Sequence, residues 1–224
     1  MILKSDVLPE AMIFDLDGTL FETESVLLEA YHKAFDRLRQ EGFYEGETPP
    51  QRLILSSLGM LLEQIWEVVL PAADSLTRQH ANDWLLHYQL ELLNSGKGRM
   101  YPGVLPTLRR LKDMGIRLFV ASNGLEEYVK AVIRSQGMSR LFEGLYSAGE
   151  FQSATKADLV GRLLGDFGIT SAWMIGDRKS DVEAGAANGL VVVGCQYSGF
   201  SGTGELAGAQ YRISAFSELE SLLP

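Results

Sequence analysis

The sequence has little of what secreted, nucleic-acid-binding and membrane-surface proteins depend on. It holds one cysteine, Cys195, in 224 residues, so a disulfide within these residues is excluded and a reducing, cytoplasmic compartment is expected. Basic residues are fewer than acidic ones, 20 against 29, and the formal net charge is −9. Because nucleic acids and anionic membranes are bound by clustered positive charge, we expect neither kind of partner.

Long apolar runs are also missing. The N-terminal segment is interrupted by Asp6, Pro9 and Glu10, and is predicted to be neither a secretory signal nor a membrane span. The composition is otherwise that of a globular protein, with 46% hydrophobic and 22% charged residues. We therefore expect a folded chain with one large domain or two smaller ones.

Short apolar runs alternate with helical patterns over most of the chain. The runs are typical of strands buried on both faces and span residues 11–16, 116–121, 172–175 and 190–194. Between them, apolar residues at helical spacing end at glycines such as Gly115 and Gly137. This alternation predicts an α/β fold with a Rossmann-like, doubly wound parallel sheet.

Residues 24–95 break that rhythm, because they hold three amphipathic helical stretches and no convincing strand. Prolines at positions 49, 50 and 71 separate the stretches. We predict an inserted α-helical cap domain over residues 21–95, with residues 1–20 and 96–224 forming the core. The apolar stripes consist of Leu27, Tyr31, Phe35 and Leu38; of Leu62, Ile65 and Val69; and of Leu86, Leu90 and Leu93.

Two aspartates, Asp15 and Asp17, follow the first predicted strand, and Gly18 lets the chain turn directly after them. In extended backbone the two side chains point the same way. Two carboxylates in one pocket are stable when a cation lies between them or when one of them holds a proton. The pair is therefore a candidate for metal binding or for acid and nucleophile roles, and a solvated Asp–Gly turn is the structural alternative.

A second acidic pair, Asp177 and Asp181, follows another predicted strand. Gly176 permits a close approach of the backbone, so these carboxylate oxygens could gather around Mg²⁺ with those of the first pair. Asp181 also precedes a helical pattern, where an isolated aspartate is typically an N-cap. The two roles are compatible.

Two further segments lie at predicted helix starts. Ser122, Asn123 and Gly124 follow the strand at 116–121 and place a hydroxyl and backbone amides where a phosphate could bind. Simple capping of the helix is the alternative for these residues. Lys156 opens a later helical stretch, and a surface lysine is the alternative there.

These segments, in this order, resemble the motifs of the haloacid dehalogenase superfamily of phosphatases. Two further segments resemble its phosphoglycolate phosphatase-like subgroup, in which a helical cap follows the first motif. The matching motifs are Asp15-Leu16-Asp17-Gly18-Thr19-Leu20, Ser122-Asn123, Lys156, and Gly176-Asp177 with Asp181; the subgroup segments are Tyr101-Pro102-Gly103-Val104 and Ala207-Gly208-Ala209.

The resemblance implies an enzyme that hydrolyses a small phosphorylated metabolite through a phosphorylated aspartate. Asp15 would attack phosphorus, and Asp17 would protonate the leaving oxygen and then activate water. The implied cofactor is Mg²⁺, held by Asp15, the backbone carbonyl of Asp17, Asp177 and Asp181. The implied phosphate-binding residues are Ser122, Asn123, Gly124 and Lys156.

Some positions depart from the family pattern, and they bear on the alternatives. Glu22 stands where relatives usually have aspartate, Ala157 where proline is common after the lysine, and Gln210 where aspartate is frequent.

A phosphosugar mutase similar to β-phosphoglucomutase is one alternative, but mutases carry a histidine near the position of Leu27. A non-catalytic phospholigand-binding protein is another, although Asp15 and Asp17 are both retained. No feature indicates an oligomeric state.

Overall fold

The fold comes from a computed structural model that describes residues 8–199 and 204–224. Asp6, used above in the argument against a signal sequence, lies outside the described residues, as does part of the predicted 1–20 core segment. Strands β1 to β6 span Ala11–Phe14, Arg117–Ser122, Gly144–Ser147, Ala172–Gly176, Val191–Cys195 and Tyr211–Ile213. Helices α1 to α9 span Glu24–Gln40, Gln51–Ser56, Leu62–Val69, Ser75–Asn94, Val104–Asp113, Glu126–Ser135, Ala148–Phe151, Lys156–Phe167 and Lys179–Ala187, and a 3₁₀ helix spans Phe216–Leu222.

The strands form one parallel sheet in the order β3-β2-β1-β4-β5-β6. In this sheet β1 is central, and its Phe14 lies opposite Val120 of β2 and Ile175 of β4. All four residues of β1 are buried, as expected for a strand covered on both faces. The predicted doubly wound parallel sheet is confirmed.

The two edge strands are the ones that the sequence does not predict. β3 and β6 have four and three residues, and both are only partly buried. An edge strand has a neighbour on one side only and needs no continuous apolar run, so its sequence lacks the signal that marks the four inner strands.

Alternate residues of β1 enter two different apolar cores. Met12 and Phe14 pack in the core that contains Leu108 of α5 and Val132 of α6. Ala11 and Ile13 pack on the opposite face. That second core also contains Leu159 and Leu163 of α8, with Ala184 of α9. Helices therefore cover both faces of the sheet, and the carboxyl ends of its strands remain as the edge where side chains of different segments can meet.

Residues 24–94, called the helical segment below, contain α1 to α4 and no strand. The stripe of α1 (Leu27, Tyr31, Phe35 and Leu38) is fully buried, and α1 packs along α4. The short α2 after Pro50 is not predicted, because six residues are too few for a periodic pattern. The division of the chain into core and cap domains stays a prediction.

Across the described ranges, no helix is long and apolar enough to cross a membrane.

The buried face of α4 is wider than the predicted stripe. Of that stripe Leu93 is buried, whereas Leu86 and Leu90 are half-buried, and Leu85, Gln89 and Leu92 are buried as well. The reason is that α4 packs on two sides, against α1 and against α6. A helix with two partners buries a wider face than a single stripe predicts.

The chain leaves and re-enters the sheet region through adjacent segments. Phe21 forms isolated bridges with Asp17 and Met100, and the Glu22 amide donates to the carbonyl of Arg99 at 2.8 Å. The side chains of Glu22 and Arg99 form an ion pair at 2.9 Å. This pairing holds the helical segment over the carboxyl ends of the strands.

Candidate active site

The predicted site residues follow three adjacent strands. Asp15 comes after β1, Ser122 ends β2, and Asp177 comes after β4. The Asp15 amide donates to the carbonyl of Ile175 at 2.9 Å, so the ladder between β1 and β4 continues to the edge of the sheet. The parallel register therefore brings these side chains to one edge.

Two glycines make room for the acidic side chains. Gly18 has φ of 81°, and a Cβ there would collide with the carboxylate of Asp177. A Cβ on Gly176 would collide with the Asp181 side chain. The left-handed backbone at Gly18 and the absence of side chains at both positions let the acidic groups approach each other closely.

Three carboxylates and one ammonium group meet at this edge. The Lys156 Nζ lies 2.5 Å from Asp15 Oδ1 and 2.6 Å from Asp181 Oδ1. Oxygen atoms of Asp15, Asp177 and Asp181 lie within 4.8 Å of one another, and all three residues are buried. Arg178 lies 3.6 Å from the Asp177 carboxylate, so three buried carboxylates meet two cations, and the remaining negative charge requires a proton or a further cation.

The pKa shifts reflect this crowding. Burial raises the pKa of Asp15 well above its usual value, against the opposing effect of the Lys156 ammonium. Burial and then the Asp181 carboxylate raise the pKa of Asp177 to about 7. Burial lowers the pKa of Lys156, but the carboxylates of Asp15 and Asp181 outweigh it and raise that pKa above its ordinary value. The lysine is therefore charged at neutral pH.

Asp17 is held by two hydroxyl groups on the same oxygen. Thr23 Oγ1 donates to Asp17 Oδ1 at 2.6 Å, and the Tyr128 hydroxyl donates to it at 2.7 Å. Burial raises the pKa of Asp17, and these two hydrogen bonds oppose the rise. Within the described residues, no group bonds to Oδ2, so a proton on this carboxyl belongs on Oδ2.

The Ser122 segment lines a cavity that also includes Asp15 and Asp17. Ser122 is buried, and its Oγ accepts from the Gly124 amide at 3.1 Å. The Asn123 Nδ2 donates instead to the carbonyl of Gly59 at 2.8 Å. Asn123 therefore connects the sheet region to the helical segment, and Ser122 keeps its hydroxyl hydrogen available for another acceptor.

The helix start near Asp181 differs from the prediction. Arg178 is the N-cap of α9, and Asp181 lies three residues later. Its Oδ2 accepts from the Arg178 amide at 2.9 Å, while its Oδ1 faces Lys156. Asp181 thus stabilises the start of α9 with one oxygen and joins the acidic cluster with the other.

A sequence model of haloacid dehalogenase-like hydrolases matches residues 9–189, which include every residue of the acidic cluster. The chain belongs to this hydrolase family. The phosphoglycolate phosphatase of Rhodospirillum rubrum is 29% identical to it over 200 residues, covering 85% of this chain and 80% of that protein. This likeness supports the phosphoglycolate phosphatase-like subgroup.

One further sequence relative and one solved structure limit the function that can be inferred from similarity. Tyrosine-protein kinase PtkA of Mycobacterium tuberculosis is 28% identical over 200 residues; the match covers 84% of this chain and 63% of that protein. The crystal structure of CbbY from Rhodobacter sphaeroides in complex with phosphate has a TM-score of 0.78 at 23% identity, covering 95% of this chain and 96% of that one. At this identity the structural likeness concerns the fold alone, so the activity of this hydrolase-family chain has to be argued from its site.

Two residues of this hydrolase site are not predicted as site residues from the sequence, Thr23 and Tyr128. Tyr128 lies in the first turn of α6, where a long side chain leans back toward the helix N-terminus and hence toward the end of β2. That direction is a signal that the sequence contains. Its hydrogen bond to Asp17 depends on the packing of α6 against the sheet region, which the sequence does not reveal.

Proposed function

We propose that this chain is a Mg²⁺-dependent phosphatase that hydrolyses a small phosphomonoester through a phosphorylated Asp15. The observation that carries the proposal is the buried cluster of Asp15, Asp177 and Asp181, in which Lys156 pairs with Asp15 and Asp181, with Asp17 beside it. A nucleophile, a proton carrier, a cation and metal ligands are the groups that phosphoryl transfer requires.

The donor set fits Mg²⁺. It consists of carboxylate oxygens, which this ion prefers, and they lie within 4.8 Å of one another. Oxygens on opposite sides of a Mg²⁺ ion are about 4.2 Å apart. We propose Asp15, the carbonyl of Asp17, Asp177 and Asp181 as the residues that hold the ion. When bound, Mg²⁺ would neutralise negative charge on the carboxylates and on the transferring phosphoryl group.

In the first half of the reaction, an Asp15 oxygen attacks phosphorus and the bond to the alcohol oxygen breaks. The proton that the alcohol oxygen needs comes from Oδ2 of Asp17, because Thr23 and Tyr128 occupy Oδ1 as donors. Lys156 and Ser122 bind the phosphoryl oxygens, on which charge is spread in the transition state.

In the second half, Asp17 returns as a base. Its Oδ2 takes a proton from water, the water oxygen attacks the phosphorus on Asp15, and inorganic phosphate leaves with the Asp15 carboxylate restored. Leu27 supports hydrolysis over a mutase reaction, since it lies in the wall of the same cavity and has no group that could delay proton transfer by Asp17.

The proposal is tested by phosphate release from a panel of phosphomonoesters with Mg²⁺, with the metal removed by a chelator, and with Ca²⁺ alone. We expect release with Mg²⁺, loss with the chelator, and inhibition by Ca²⁺, which prefers a larger and looser oxygen shell. A hexose 1-phosphate in the panel also detects isomerisation. Full activity with Ca²⁺ alone, or isomer formation faster than phosphate release, would contradict the proposal.

Tyr128→Phe tests how Asp17 is positioned. The Tyr128 hydroxyl donates to Oδ1 and thereby keeps the proton of Asp17 on Oδ2. Without this hydroxyl the proton is held less firmly on Oδ2, so we expect kcat/KM for alkyl phosphates to fall by about tenfold. The kcat/KM for p-nitrophenyl phosphate should fall much less, because p-nitrophenolate departs without a proton. The measurement is kcat/KM for both substrate types in the variant and in the unchanged protein.

Tyr146→Phe is the matched control. Tyr146 is also buried, and its hydroxyl donates to Asp166 Oδ2 at 2.7 Å away from the acidic cluster. This variant should keep the ratio of alkyl to aryl phosphate activity. Equal losses for both substrate types in Tyr128→Phe would reduce Tyr128 to a structural role.

A further inference from the structure

The cavity in front of Asp15 has walls of very different chemistry. It has a volume of about 80 Å³ and lies between the strand ends and the helical segment. The side toward the strand ends presents the carboxylates of Asp15 and Asp17 and the hydroxyl of Ser122. The helical segment contributes mainly aliphatic side chains, among them Leu27, Ile54, Ile65, Leu85 and Leu86. The alcohol part of a phosphomonoester would face these side chains once its phosphate reached Asp15.

Two amides interrupt the aliphatic wall, Asn82 and Gln89. With Leu85 and Leu86 they follow the spacing i, i+3, i+4 and i+7, which places all four on one face of α4. Gln89 is 8% exposed and lines the cavity, yet its amide has no hydrogen-bond partner in the part of the chain that the structure describes. The amide is open to the cavity rather than enclosed in the apolar core, so it can form a hydrogen bond to a ligand that enters.

The same wall has no ionisable side chain. Of the described residues from the helical segment that line the cavity, none is Lys, Arg, His, Asp or Glu. Two cations lie nearby, and both already have acidic partners. Lys156 pairs with Asp15 and Asp181. Arg178, which packs against Gly59, pairs with Asp177 and Glu205. A carboxylate or a second phosphate on the alcohol would therefore lie between aliphatic side chains and the aspartates, without a counter-ion, which is strongly unfavourable.

Resting on the proposed function, we propose that the substrate is a phosphomonoester of an uncharged alcohol. This alcohol has an apolar face toward α1 and α4 and a hydroxyl or amide that bonds to Gln89. Phosphorylated hydroxy acids, phosphoglycolate included, and bisphosphates are poor substrates.

The first test compares substrates that differ by one charge. The pairs are 2-hydroxyethyl phosphate with phosphoglycolate, and glycerol 3-phosphate with 3-phosphoglycerate, each assayed with Mg²⁺. We expect kcat/KM to favour the uncharged member of each pair by about tenfold or more, since the carboxylate loses its water without gaining a cation. p-Nitrophenyl phosphate serves as the reference for activity itself.

Two variants of the wall and one control sharpen the test. Gln89→Leu should lower kcat/KM for glycerol 3-phosphate by about tenfold relative to phenyl phosphate, which offers no group to the amide. Leu86→Arg places a cation at a half-buried position of the cavity wall, so it should reduce the preference in kcat/KM for the uncharged member of each pair. Gln79→Leu, on the exposed face of the same helix, should keep the specificity of the unchanged protein.

The outcomes separate this inference from the function on which it rests. Phosphate release that favours phosphoglycolate and 3-phosphoglycerate would overturn the inference and leave the phosphatase proposal standing. Equal losses for glycerol 3-phosphate and phenyl phosphate in Gln89→Leu would do the same. No phosphate release from any substrate, p-nitrophenyl phosphate included, would overturn both.

Discussion

Asp15→Asn is expected to abolish turnover, with kcat lowered by about 10³-fold or more, because the amide is a far weaker nucleophile than the carboxylate. The substitution keeps the size of the side chain, so substrate binding should change much less. Phosphate release under Mg²⁺ is the measurement. In the unchanged protein, rapid acid quench followed by peptide mass analysis should find the phosphoryl group on Asp15.

The same variant should keep its thermal stability or gain some in the absence of metal. Lys156 retains Asp181 as a partner at 2.6 Å, so no buried ammonium is left unpaired. The substitution also removes one of three buried carboxylates that repel each other. A loss of folding in Asp15→Asn would contradict this account of the cluster.

Asp113→Asn is the matched control, since Asp113 is an exposed aspartate at the end of α5. Its turnover and thermal unfolding should equal those of the unchanged protein. Turnover in Asp15→Asn close to that of Asp113→Asn would remove Asp15 from the role of nucleophile.

The sequence predicts the centre of the fold better than its edges. Residues 11–14, 172–175 and 191–194 lie in inner strands of the sheet, where burial on both faces demands continuous apolar runs. β3 and β6 are edge strands with polar and half-exposed residues, so their strand character comes from pairing with a neighbour rather than from local pattern. Local sequence cannot reveal a neighbour that is distant along the chain.

The candidate site divides in a similar way. Asp15, Asp17 and Asp177 lie at the ends of predicted strands. Gly18 and Gly176, which are next to Asp17 and Asp177, leave room for other side chains to approach closely. Local sequence therefore identifies these aspartates as candidates. Gln89 and Tyr128 carry no such mark, because each lies within a helix, where a polar side chain is more often found at the surface. Their place at the cavity depends on how α4 and α6 pack, which is a tertiary property. The roles of all five residues stay predictions until variants are measured.

Lys156→Met is expected to have the second large effect, on stability and activity together. The ammonium pairs with Asp15 and Asp181 where both side chains are at least 95% buried. Its removal leaves the buried carboxylates of Asp15 and Asp181 without their ion-pair partner, for which a loss of about 3–5 kcal/mol is typical. Turnover and inorganic phosphate binding should fall together, since a cation beside the phosphoryl group is lost.

The free energy of unfolding should depend on pH, and the raised pKa of a buried carboxyl determines the direction. Asp177 has a pKa of about 7 in the folded chain, above the ordinary 3.8. The folded state therefore holds a proton that the unfolded state releases, and stability falls as pH rises through this window. Without Lys156 the remaining carboxylates repel more strongly, so the free energy of unfolding should fall more steeply with rising pH in Lys156→Met than in the unchanged protein. Thermal unfolding at several pH values, without metal, measures the slope.

Lys179→Met provides the control for Lys156→Met, because Lys179 is exposed and its ion pair with Glu183 lies on the solvent side of α9. An exposed pair of this kind contributes about 0.3–0.5 kcal/mol, so thermal unfolding and turnover should barely change. Added Mg²⁺ should recover part of the stability of Lys156→Met, since a divalent cation neutralises the same carboxylates, but it should not recover turnover. A Lys156→Met variant as stable as Lys179→Met at neutral pH would show that the aspartates are not held together by this lysine, and the charge argument for the whole cluster would fail with it.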